Sequence, residues 1–110
     1  MNSSYRNMRV MVLFDLPSVS KVEKRNYVRF RKRIMEDGFM MLQFSIYVRY
    51  CRNPQDAKKH IQRIESFAPR DGNIRILCIT EHQFEEMILL VGEESETEKT
   101  VKKEYLVVIE

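Results

Sequence analysis

Five consecutive apolar residues, Val10-Met11-Val12-Leu13-Phe14, closed by Asp15-Leu16-Pro17, constrain this chain most. A run that is apolar at every position suits a strand covered on both faces, in the middle of a sheet. Pro17 stops it, because proline has no N–H to give to a ladder. A chain of 110 residues holds one such core. The rest of the sequence must therefore supply the neighbours and the covers of this strand.

The segments that follow read in a definite order. Val19 to Asp37 predicts a helix, with Ser18 or Ser20 as N-cap and Tyr27, Phe30 and Ile34 as its apolar stripe. Gly38 is placed to end that helix in a left-handed conformation. Phe39 to Cys51 is long for one strand and predicts two, with a kink near Phe44–Ser45. Asn53-Pro54 caps and opens a second helix, in which Ala57, Ile61 and Ile64 recur at helical spacing until Pro69. Arg70-Asp71-Gly72-Asn73 is a turn, Ile74 to Thr80 alternates as a strand does, and Glu81 to Phe84 suits a short turn. Glu86 to Val91 predicts a further strand and Tyr105 to Ile109 a last one. The order β-α-β-β-α-β defines a ferredoxin-like α+β arrangement, an antiparallel sheet with both helices on one face. Residues 1–92 are expected to form that domain, and residues 93–110 an acidic linker and an added C-terminal strand.

The apolar runs are far short of the roughly 20 residues needed for a membrane helix. Met1-Asn2-Ser3-Ser4-Tyr5-Arg6 is not followed by an apolar signal core. Cys51 and Cys78 show no metal-ligand spacing and read as small buried hydrophobes. A reduced, cytoplasmic protein is the expectation.

Charge is unevenly spread. Residues 93–110 hold six acidic and three basic residues, whereas residues 1–92 hold 16 basic and 10 acidic. A basic body with an acidic tail points to a polyanionic partner, or else to a solvated cationic surface. The first helix concentrates the signal: Lys21, Arg25, Arg29 and Lys32 share one side, with Arg33 beside them. Only Glu23 and Glu36 are nearby acids, and that shortage favours phosphate binding, which positions nucleic acid without reading its sequence.

Enzymatic chemistry has little to draw on. The three glycines are too dispersed for a phosphate loop, and His60 and His82 read as surface residues without an acid or thiol partner. Asp15 is the exception. At the end of a central strand it either caps the turn at Pro17 or serves as a carboxylate ligand for a hard cation such as Mg²⁺. One carboxylate per chain suffices for such a site if two chains meet there. Phe39, Phe44, Tyr47 and Tyr50 raise base stacking on the sheet. The sheet face away from the helices is too apolar to be left open, however, and burial by a second copy is the expectation.

Three stretches carry a resemblance: Val10 to Pro17; Gly38-Phe39-Met40-Met41-Leu42-Gln43-Phe44-Ser45-Ile46-Tyr47; and Gly72-Asn73-Ile74 running on to Thr80-Glu81-His82-Gln83-Phe84. Together they resemble the CRISPR-associated protein two (Cas-two) family, in the form that accompanies type II systems. The resemblance implies a ferredoxin-like homodimer mated through its sheets, in antiviral defence. It implies Mg²⁺-dependent endonuclease activity on RNA or DNA, with the catalytic and metal-site aspartate at Asp15. It also implies assembly with the integrase Cas-one on duplex DNA for spacer acquisition. By the family's exposed helix and loop arginines, the resemblance implies a DNA-binding role for Arg25, Arg29 and Arg33, and Tyr105–Ile109 would add to the partner protomer's sheet. Since Asp15 alone fits the metal pattern, a non-catalytic scaffold is preferred as the physiological role. A toxin-type ribonuclease of the VapD kind and a ligand-binding regulatory domain are the alternatives.

Overall fold

A computed structural model describes residues 6–93. Its elements are β1 (Met8–Asp15), α1 (Lys21–Glu36), β2 (Met40–Gln43), β3 (Ile46–Cys51), α2 (Pro54–Phe67), β4 (Asn73–Thr80) and α3 (Glu81–Glu85). The sheet order is β2-β3-β1-β4 and every neighbouring pair is antiparallel. This is the expected ferredoxin-like α+β architecture, with the apolar strand β1 at its centre.

Local chemistry sets the element ends. The Ser20 hydroxyl accepts from the Glu23 N–H, and the Glu23 carboxylate accepts from the N–H groups of Ser20 and Val19. This capping box satisfies donors that the first helical turn leaves without partners. The same bonds, the Ser20 N–H foremost, hold the Glu23 carboxyl below its ordinary range. Asn53 caps α2 by accepting from the Asp56 N–H, and Pro54 opens the helix. At the other end of α1, Gly38 takes φ +90°, while its N–H and that of Phe39 close onto Met35 and Ile34. The expected kink is a turn at Phe44–Ser45, with Ser45 at φ +63°.

One sheet face carries both helices. Val10, Val12 and Phe14 of β1 and Tyr47 and Cys51 of β3 meet Phe30 and Ile34 of α1 and Ala57 and Ile64 of α2. Phe14 is the hub, with ring centroids 5.1 Å from Phe30, 5.7 Å from Tyr47 and 5.9 Å from Tyr27. The opposite face has its own cluster, in which Met11, Val48 and Phe84 are buried among half-buried Leu13, Leu42, Ile46 and Ile79. Phe84 belongs to α3, so this short helix roofs part of the second face. Arg9 pins it there: Nε donates to both Glu81 carboxylate oxygens, at 2.6 and 2.9 Å, and the guanidinium lies against the rings of Phe84 and Tyr50.

Three expectations need correction. Glu86 to Val91 is not a strand: α3 ends at Glu85, and residues 87–91 pair with no described strand. Its apolar residues have no ladder to join within the described chain, and Ile88, Leu90 and Val91 stay exposed. His60 is not on the surface. Its spacing of three from Ala57 and four from Ile64 puts it on the buried stripe, where Nδ1–H donates to Asp37 Oδ2 at 2.7 Å. Arg63 holds the other Asp37 oxygen at 2.9 Å, so α1's C-cap is tied to α2. Cys78 is exposed, whereas Cys51 is buried as expected. Phe39 and Tyr47 belong to the helix-side core and are closed to base stacking; Phe44 is exposed. The linker beyond Glu93 and the strand at Tyr105–Ile109 lie outside the described residues. Among the described residues no helix is long and apolar enough to cross a membrane.

The two thiols should differ in reactivity. Burial, with the Asp56 carboxylate adding to it, pushes the Cys51 thiol up to about 11, so its thiolate is scarce at neutral pH. Iodoacetamide at about pH 8 should alkylate Cys78 at least about tenfold faster than Cys51, read by peptide mass spectrometry.

Candidate functional site

Asp15 stands at the C-terminal end of β1, exposed, and three contacts fix its position. On one side the Phe14 N–H donates to the Ser45 carbonyl at 3.1 Å, drawing in the β2–β3 turn. On the other, Asp15 pairs with Asn73 at the start of β4. Beneath it Gly72, at φ +95°, lies so close that a Cβ there would stand 2.7 Å from the Asp15 carbonyl oxygen and 2.8 Å from Leu16. The turn before β4 thus needs glycine both for its dihedral and for its approach. Among the described residues the Asp15 side chain enters no ion pair, and no group of three or more His, Cys, Asp or Glu is placed to hold a metal. Among the described residues Asp15 therefore stands outside any cluster of three such ligands. That fits Mg²⁺ only where waters, phosphate oxygens or a second copy complete the shell.

The cationic helix face is as the spacing predicts. Lys21, Arg25, Arg29, Lys32 and Arg33 are all exposed. At about 100° per residue they span an arc of roughly 120° centred away from Phe30 and Ile34, with Arg33 at the edge nearest Phe30. None of the five forms an ion pair among the described residues: Glu23 is spent on the helix cap, and Glu36, the acid within the arc, bonds to none of them.

Strand parity separates the two features. Residues alternate faces along β1, so Asp15 shares the face of Met11 and Leu13, whereas Val10, Val12 and Phe14 face the helices. The arc therefore lies on the outer surface of the helix layer and the carboxylate on the opposite side of the sheet. A third feature was hidden in the sequence. Arg70, read only as a turn residue, is brought beside Arg29 and Arg33, and together they line a groove of about 340 Å³ between α1 and the α2–β4 turn. Arg33 stands over the ring of Phe67, 4.7 Å from its centroid. No linear signal announces this meeting, since residues 33 and 70 belong to separate elements.

These features define a small ferredoxin-like protein with one strand-end aspartate and a basic helix whose cationic arc has no carboxylate partner among the described residues. The family model described as "CRISPR associated protein Cas2" matches residues 8–87. The chain belongs to the CRISPR-associated Cas2 family. It is 47% identical over 85 residues to "CRISPR-associated endoribonuclease Cas2" of Acidovorax ebreus, covering 77% of this chain and 83% of that one. It is 40% identical over 89 residues to the protein of that name in Lacticaseibacillus rhamnosus (81% and 88%), and 37% over 102 residues to that of Treponema denticola (93% and 100%). A solved structure titled "Crystal structure of cas2" superposes with a TM-score of 0.56 over 82% of this chain and 92% of that one; at 16% identity it supports the fold alone.

The Gly72 contact makes a direct prediction. Gly72→Ala should destabilise the protein by about 1–3 kcal/mol in urea unfolding, through strain at positive φ and the clash with Asp15. NMR should show the Asp15 and Leu16 amides among the most shifted.

Proposed function

We propose that two copies of this chain mate through the sheet faces that carry α3, and that the dimer holds duplex DNA along its outer α1 arcs as a scaffold for the CRISPR integrase. The observation that carries this reading is the arc of five exposed cations on α1 that have no carboxylate partners among the described residues. Phosphate contacts from such a face release counterions, and so bind duplexes without regard to sequence. Two further observations agree with it. The sheet face away from the helices keeps Leu77 half exposed beside an apolar cluster, as a surface meant for burial would. Residues 88–91 join no strand among the described residues, and a second sheet edge could take up this apolar stretch. The integrase, the duplex and the type II setting rest on the family resemblance.

A second reading is a Mg²⁺-dependent endonuclease, favoured by the exposed strand-end carboxylate and by the relatives' name of endoribonuclease. Mating through the face of Asp15 would bring two such carboxylates into one interface. Bound there, Mg²⁺ would polarise the scissile phosphate and lower the pKa of a water. Asp15 would hold the cation, and the turns at Ser45 and Gly72 would fix where Asp15 stands. Parity within one chain keeps the α1 cations off that face, which favours the scaffold as the main role.

Replacing Arg25 and Arg29 together by Glu should weaken duplex binding at least about tenfold near 100 mM salt and lower the salt slope by about two. Anisotropy titrations over salt check this, and unchanged binding removes α1 from the interface. Asp15→Asn should abolish Mg²⁺-dependent cleavage while leaving spacer insertion in cells intact. Loss of insertion by a folded dimer would overturn the scaffold reading.

A further inference from the structure

The groove between α1 and the α2–β4 turn differs in kind from the rest of the cationic surface. Its floor is apolar, with Leu16, Phe30 and Phe67, and its walls carry Arg29, Arg33 and Arg70. The Arg33 guanidinium rests over Phe67, which in turn packs on Phe30 with centroids 5.8 Å apart. Arg33 is thus braced against Phe67, and the two line the groove together. A guanidinium plane so held is a platform for a nucleobase. Among the described residues none of the three arginines makes an ion pair.

Two acids also line the groove. The Glu23 carboxylate is occupied by the helix cap, and Asp71 is exposed. Three cations against two carboxylates give a bare phosphate no great advantage here over the open α1 arc. A ligand with both a flat ring and a phosphate uses what sets the groove apart. Its volume of about 340 Å³ suits a small ligand of that kind.

We propose that this groove binds a nucleoside phosphate. The base stacks on Arg33 above Phe67, Arg29 and Arg70 hold the phosphate, and Asp71 accepts a hydrogen bond from a sugar hydroxyl or a base amino group. A free mononucleotide and an unpaired nucleotide at the end of a strand share this chemistry. The site goes beyond the backbone binding proposed above, since it requires a ring as well as a phosphate, and it stands without Asp15.

The test titrates the full chain with adenosine monophosphate and with inorganic phosphate, followed by amide chemical shifts. Adenosine monophosphate should bind at least about tenfold tighter than phosphate, with shifts centred on Arg33, Phe67 and Arg70. Arg33→Lys keeps the charge but loses the plane, and should remove most of that preference at an unchanged melting temperature. Arg70→Ala should weaken the nucleotide about fivefold and leave blunt-duplex affinity within about twofold. A duplex with a one-nucleotide overhang that outcompetes a blunt one, with the gain lost in Arg70→Ala, assigns the strand end as the source. Equal binding of the two duplexes beside intact nucleotide binding assigns the free nucleotide. Equal affinity for nucleotide and phosphate, shifts spread along α1 without a focus in the groove, or no binding at millimolar nucleotide overturns the proposal. If blunt-duplex binding persists in those cases, only the groove site fails; if the wild type ignores the duplex, the backbone reading fails instead.

Discussion

The ring of Phe14 is where this fold is tied together. It belongs to the central strand, and it touches one ring of β3 and two of α1. Edge-to-face and tilted aromatic pairs each add about 0.5–1.5 kcal/mol beyond the area they bury. More important is what they align. Phe14 is next to Asp15, so the contacts that seat α1 on the sheet also fix the strand end from which the carboxylate projects. Packing and chemistry meet within two residues.

The strand end is held from the other directions by turns. Ser45 reaches the Phe14 amide from the hairpin, and Gly72 presses against the Asp15 carbonyl from the turn before β4. Both use backbone conformations with positive φ. The acid therefore stands on three convergent pieces of backbone and not on a free loop. The basic arc stands on a capped helix, anchored at its far end by Asp37 to His60 and Arg63 of α2. Acid and arc occupy opposite layers, a division fixed by the two-residue period of β1.

Much of this was legible in the sequence because it is local. The uninterrupted Val10–Phe14 run, the Ser20 and Asn53 caps, Gly38 and the break near Phe44–Ser45 each act within a few residues. The cationic arc is a matter of helical angle and could also be read directly. What was hidden depends on distant partners. His60 reads as a surface residue because no acid or thiol partner stands near it in sequence, although its spacing from Ala57 and Ile64 marks the buried stripe; its partner is Asp37, 23 residues earlier. Residues 87–91 have the composition of a strand but no ladder within the described chain. Arg70 joins Arg29 and Arg33 only through the packing of α2 on the sheet.

The Arg9–Glu81 bond gives α3 an address. A short helix resting on Met11 and Val48 through Phe84 alone could slide, since greasy surfaces are tolerant of translation. A guanidinium under that helix, itself almost wholly excluded from water, admits one docking position, because any slip strands a charge. The edge of the remaining apolar plateau is therefore as sharply drawn as the plateau itself. A matching body approaching it meets a stencil with a fixed outline.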